Sequence, residues 1–294
     1  MIITPEELAI HECDETLLEI INNKTFDDIV LYEKNSDFHT IKVVENEIGR
    51  FLHYKDTYQA GIMDTQYYKG NIPYINYFLI PYLINPQIKN ILLIGMGTGI
   101  IINQYEQIFS QLKKIDVIDI EENILEIAQN YFNFQISEKF NFVLQDGLVF
   151  LKNTKQKYDL IVVDVASDEG IDERFCSQEY LEVIKAHLKK DGIFVSNMPS
   201  SADVLHPENI FISNLIQKYK QTFNSVQLYK GDESDRVYYK SFFDLDERVV
   251  DITNLIFISS ESELNIDIEK RKNETKNIEK LGVPIYNYLK DLIK

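Results

Sequence analysis

Cysteine is nearly absent: Cys13 and Cys176 lie far apart in 294 residues, with no ligand-type spacing around them. Neither a disulfide framework nor a zinc site is available to such a chain. Long apolar runs are also missing. The most apolar stretch, Ile72 to Ile84, carries two prolines and is too short to span a bilayer. The opening MIITPEELAIHECDE lacks the basic-then-apolar order of a secretion signal. His11, His39, His53, His187 and His206 show no metal-ligand spacing. Positive charge is short too, with 30 Lys and Arg against 47 Asp and Glu, a formal charge of −17. That balance disfavours nucleic-acid phosphates or an anionic membrane as main partner and favours a cation such as an amine. The expectation is a soluble, cytoplasmic protein, free of metal, acting on a small molecule.

Core-forming residues are plentiful, at 45% hydrophobic and 12% aromatic. From Asp28 to Gly61 the pieces DIVLYEK, DFHTIKVV, GRFLHYK and TYQAG are short, strand-like and separated by turn residues, as antiparallel hairpins require. This predicts a small N-terminal β domain over 1–63, with a helix over 5–22. Residues 64–294 then form an α/β domain. Its opening, Asp64 to Leu83, reads as a broken helix carrying many aromatics, ended by Pro81 and Asn85-Pro86. From Asn90 onward apolar runs (NILLIG, IDVIDI, FNFVLQ, YDLIVVD, GIFVSN) alternate with amphipathic stretches such as EENILEIAQNYF. SQEYLEVIKAHLKK is a helix opened by Ser177 and stopped by Lys190-Asp191-Gly192. Such alternation indicates a doubly wound parallel sheet covered on both faces. NSVQLYK and RVYYKSFF are expected to pair antiparallel at its edge, and 260–280 to form a solvated, mixed-charge helix.

Ligands of open parallel sheets bind beyond the carboxyl ends of the strands. Here the first strand ends in Gly95-Met96-Gly97-Thr98-Gly99, a turn whose glycines admit a ligand to the backbone. The third glycine comes one residue too early for the dinucleotide pattern G-x-G-x-x-G. The second strand ends at Asp119, 24 residues after Gly95, where a carboxylate can accept from both ribose hydroxyls. The third ends in Asp146-Gly147, where a carboxylate can accept from an adenine amino group. A fourth ends at Asp164 in DVASDEG. Three acids behind successive strands, beside a glycine turn, point to adenosine binding.

The run ILLIGMGTGI, VIDIEENILEIAQNYF, LQDGLVFL, YDLIVVDVASDEG and FCSQEYLEVIKAHLKKDGIFVSN resembles the spermidine synthases, aminopropyltransferases built on the class I methyltransferase (Rossmann-like) fold. The likeness extends upstream to the family's small β domain and covers roughly residues 28 to 200. It implies ribose binding by Asp119 and adenine binding at Asp146-Gly147. It also implies that His39 lies near the donor, that Gln59 and Tyr68 line the cleft, and that Asp164 is the catalytic base. The donor implied is decarboxylated S-adenosylmethionine, the acceptor an amine such as putrescine, and the assembly a homodimer. Several positions depart from the family pattern. Thr98 stands where an aspartate is usual, the second acid of the catalytic loop has moved to Asp168, and Lys69 follows Tyr68 where histidine or glutamine is usual.

Aminopropyl transfer needs a neutral amine to attack the carbon beside a sulfonium. An alkylamine with a pKa of about 10.4 arrives protonated, so a carboxylate must take its proton. Asp164 suits that step, with Asp168 or Glu169 holding the amine's charge. A methyltransferase of the same fold stays open as an alternative, because neutral Thr98 does not repel the carboxylate of full S-adenosylmethionine. A non-catalytic nucleoside-binding relative is a third reading. Among the tyrosines, Tyr67, Tyr74 and Tyr77 are expected in the core or an interface, and Tyr68 in the pocket.

Overall fold

Residues whose apolar side chains alternate along a short segment pleat into a strand with one buried face, and four such segments follow one another from Ile29. The computed structural model describes residues 28–38, 40–47, 49–55, 57–64, 69–165, 172–201, 210–231 and 252–293. Strands β1 (Ile29–Asn35), β2 (Thr40–Asn46), β3 (Gly49–Tyr54), β4 (Thr57–Asp64) and β5 (Lys69–Asn71) form a five-stranded antiparallel sheet in sequence order. Ile41, Val43, Phe51 and Leu52 are fully buried. The sheet runs on to Asn71 through β5.

A 3₁₀ segment (Pro73–Leu79) and α1 (Ile80–Ile84) follow. Pro81 therefore sits in the first turn of α1 and opens it, where its missing N–H costs nothing. Of the two stops expected, Pro81 opens the helix instead of ending it, and Asn85, ahead of Pro86, ends it.

The large sheet contains β6 (Asn90–Ile94), β7 (Lys114–Asp119), β8 (Phe140–Leu144), β9 (Tyr158–Val163), β10 (Leu188–Ser201), β11 (Ser225–Lys230), β12 (Ile252–Ser260) and β13 (Leu292–Ile293). Their order is β13-β11-β12-β10-β9-β6-β7-β8. The strands from β8 to β10 are parallel, and β12 is inserted antiparallel between β10 and β11. The connecting helices are α2 (Ile100–Ile108), α3 (Ile124–Tyr131), α4 (Gly147–Asn153), α5 (Gln178–His187) and α6 (Ile210–Thr222). Helices α7 (Lys272–Glu279) and α8 (Ile285–Leu289) close the chain. Both faces are covered. Ile91 and Leu93 of β6 pack into one core with α2 and α3, while Leu92 and Ile94 pack into the other with α5 and α6. That double burial is why these strands read as unbroken apolar runs.

Two expectations at the edge need correction. NSVQLYK pairs antiparallel with β12 and β13, and RVYYKSFF lies outside the described residues, as does the helix expected over 5–22. Within 260–280 only α7 is an α-helix, and it buries Thr275 and Ile278 against the fold. Helix α5 does open on Ser177, whose side chain accepts from Tyr180 N, but it stops at His187, because Leu188 already belongs to β10.

The two sheets are tied across their junction. Lys34 Nζ donates to Asn123 Oδ1 at 2.6 Å, and Arg50 Nη1 donates to Tyr131 O at 2.9 Å while the same guanidinium pairs with Glu45. Among the described residues no helix is long and apolar enough to cross a membrane.

Candidate active site

The carboxyl ends of β6 and β9 meet at a glycine. Gly95 has φ +92°, and a Cβ there would lie 2.1 Å from Asp164 O, so only glycine lets the two strand ends close up. Gly95 N donates to Ile118 O at 2.8 Å, and Asp164 N donates to Ile94 O at 3.0 Å. Gly99, at φ +76°, sits under the Phe134 ring, with a Cβ 2.7 Å from it. These contacts hold the turn at the amino end of α2.

Beside the turn opens a cavity of about 430 Å³. Gln59, Gly95, Gly97, Thr98, Asp119, Asp146, Gly147 and Asp164 all line it. Gly99 does not; it serves the packing of the turn. His39, Tyr68 and Asp168 lie outside the described residues.

Asp119 is buried and anchors the turn. Its Oδ2 accepts from Met96 N at 2.7 Å and its Oδ1 from Glu121 N at 2.9 Å. Burial raises its pKa, and the backbone donors work against that rise. Asp146 begins α4. Its Oδ1 accepts from Leu148 N and Val149 N, each at 2.9 Å, and so caps the helix. Its Oδ2 accepts from Arg174 Nη1 at 3.1 Å, and Arg174 Nε donates to Asp172 Oδ2 at 2.8 Å. Arg174 and Asp172 thus border the same end of the cavity.

Asp164 lines the cavity where β9 ends, beside Gly95. Tyr74 hydroxyl donates to its Oδ2 at 3.1 Å, and Asn197 Nδ2 donates to its Oδ1 at 3.1 Å. Burial pushes its pKa up to about 6, against the pull of these two donors. At neutral pH it is an anion with an unusually high proton affinity, the state a general base requires.

Tyr74, Asn197, Asn254 and Arg174 were not singled out as pocket residues in the sequence. Asn197 had a usable signal, since it closes the apolar run GIFVS, as Asp119 does for its own run; β10 itself continues to Ser201, but its pairing with β9 ends at Ser196. Asn254 lies near the start of β12, and because β12 runs antiparallel this end meets the carboxyl tips of its neighbours. Tyr74 had no such signal: it belongs to a 3₁₀ segment whose neighbours are nearly all buried.

A parallel sheet with one antiparallel insertion, a glycine turn and acids behind successive strands define a nucleoside-type α/β fold. Solved structures agree on the class I methyltransferase form. The crystal structure of a spermidine synthase in complex with the transition-state analogue AdoDATO superposes with a TM-score of 0.64 at 16% identity, covering 87% of this chain and 86% of that one. Human methyltransferase-like protein 13 in complex with SAH gives 0.52 at 20% identity, over 72% of this chain and 94% of that one. The model of the spermine/spermidine synthase domain matches residues 78–231, and the chain belongs to that family. A polyamine aminopropyltransferase of Clostridium botulinum (strain Eklund 17B / Type B) is 31% identical over 175 residues, 58% of this chain and 60% of the relative. One of Alkaliphilus metalliredigens (strain QYMF) is 27% identical over 207 residues, 68% of this chain and 70% of the relative. The chain thus spans about 60% of the length of the former.

Proposed function

We propose that this protein transfers an aminopropyl group from decarboxylated S-adenosylmethionine to an amine such as putrescine. The observation that carries the reading is Asp164, held by Tyr74 and Asn197 in the cavity that also contains the glycine turn and Asp119. The names of the similar proteins support it, since they are polyamine aminopropyltransferases.

In this reading Asp119 and the turn hold the ribose, and Asp146-Gly147 the adenine. Asp164 orients the incoming ammonium and takes one proton from it. The nitrogen lone pair then forms the new C–N bond at the methylene carbon beside the sulfonium. The C–S bond breaks with its electron pair going to sulfur, leaving neutral methylthioadenosine. Fixed placement of the two reactants supplies much of the acceleration. His39 near the donor, Gln59 and Tyr68 along the cleft, and Asp168 at the amine's far end complete the assignment. The acidic balance of the chain fits a cationic small-molecule acceptor better than nucleic acid or membrane. A cytoplasmic homodimer belongs to the same proposal, as does a division into a small domain, expected over 1–63 and carried on to Asn71 by β5, and a catalytic domain after it.

Thr98 is buried in the cavity lining and neutral, so donor choice is the point to test. Calorimetric titration with both sulfonium donors is expected to give at least about tenfold tighter binding of the decarboxylated form, because the carboxylates lining the cavity, Asp119, Asp146, Asp164 and Asp172, disfavour a further one. Preference for the carboxylated donor, with no aminopropyl product from putrescine, contradicts the proposal and supports methyl transfer.

A further inference from the structure

Asn254 is joined to Asp164 through one intervening amide, that of Asn197. Asn197 Nδ2 carries two hydrogens. It donates to Asp164 Oδ1 at 3.1 Å and to Asn254 Oδ1 at 3.0 Å. Both asparagines are buried, at 7% and 1% exposure. In the β10–β12 register Asn197 opposes Ile256 and Asn254 opposes Pro199, so the two amides are diagonal neighbours on one sheet face. The orientation of the middle amide follows from its partners. Turned over, it would set its carbonyl oxygen against a carboxylate and a second carbonyl oxygen at once. The oxygen itself has no hydrogen-bond partner among the described residues, so the amide is held by its nitrogen alone.

Taking Asp164 as the base, as argued above, we propose that Asn254 is a positioning residue for aminopropyl transfer: it occupies one hydrogen of the Asn197 amide and so keeps the other on Asp164, aiming the reacting carboxylate into the cavity. Without that acceptor the Asn197 side chain can rotate, and Asp164 loses one of its two donors. The remaining donor is Tyr74, from the 3₁₀ segment. From α2, Tyr105 faces Asp164 electrostatically, but its hydroxyl donates to Phe78 O at 2.8 Å and its pKa lies well above 10. Among the described residues, the cavity's other charged groups are Asp119, Asp146, Asp172 and Arg174. Tyr105 stays neutral across the working range, so a change in the titration of Asp164 reports its donors.

The test is a carbon NMR titration of protein labelled at the aspartate carboxyl carbons, with Asp164 assigned through Asp164→Asn. Asn254→Ala removes the acceptor, and Asn254→Leu removes it while filling the space. In either variant the apparent pKa of Asp164 is expected to rise by about one unit, the size of one charge-assisted hydrogen bond. The acid limb of kcat should move up with it, while the Kd for methylthioadenosine stays within about twofold, since neither asparagine belongs to the turn, Asp119 or Asp146-Gly147, which hold the nucleoside in the proposed reading. In the wild type, one side-chain amide proton of Asn197 should shift with pH in step with Asp164, which needs no variant to fold. A folded variant with an unmoved Asp164 titration, a kcat loss without displacement of the acid limb, or Asn197 protons indifferent to pH overturns the proposal. If the wild type fails to form aminopropyl product while the carbon titration still moves, the function reading falls and the hold of Asn254 on Asp164 stands.

Discussion

In the cavity, Asp119 and one oxygen of Asp146 accept from backbone N–H groups, whereas the Asp164 carboxylate is held by the side chains of Tyr74 and Asn197. The difference is one of rigidity and of reach along the chain. Backbone donors are set by the turn and by the start of α4, so the first pair of acids is preformed by local sequence. Side-chain donors come from residues 74 and 197, on either side of residue 164, and each can be removed singly without breaking a strand or helix. The first pair is suited to binding a constant nucleoside. Asp164 is suited to having one proton affinity adjusted.

The comparison breaks most sharply at Gly95. Gly95→Ala places a methyl group against Asp164 O in a left-handed backbone, and relief requires the tips of β6 and β9 to separate. A loss of about 3 kcal/mol or more is expected in urea unfolding, with nucleoside binding abolished. Wild-type stability in that variant would mean that the turn is not rigid.

Asp164→Asn sharpens the contrast through stability. With a folded pKa of about 6 against 3.8, the native state binds the proton more tightly than the unfolded chain. The favourable contribution is full below about pH 4 and lost as pH rises through 6, so above 6 the carboxylate weakens the fold. The variant should be more stable than wild type by about 2 kcal/mol at pH 8, with the gain fading on acidification. A variant equally or less stable at pH 8 would place Asp164 in a wetter site.

The smallest effect is expected from Tyr74→Phe. Losing one donor should raise the acid limb of kcat by about half a pH unit or more and leave nucleoside Kd within about twofold. An unmoved limb would show that Asn197 alone governs Asp164.

The same division explains what could be read without coordinates. The parallel sheet was legible because strands buried on both faces leave unbroken apolar runs between amphipathic helices. Asp119, Asp146 and the glycine turn were legible because each follows its strand directly. Tyr74 is buried in the core as expected, but its hydroxyl reaching across 90 residues to Asp164 leaves no local trace. Asn254 was passed over because its role depends on β12 running antiparallel beside β10, and RVYYKSFF had been taken as the edge partner instead.

The most direct test of the central claim is the rate of spermidine and methylthioadenosine formation from decarboxylated S-adenosylmethionine and putrescine, followed by mass spectrometry from pH 5 to 9. Wild type should lose activity as pH falls through about 6, the pKa of Asp164. Asp164→Asn should be at least about a hundredfold slower throughout while binding the donor normally. Turnover of Asp164→Asn within a few-fold of wild type would contradict the account.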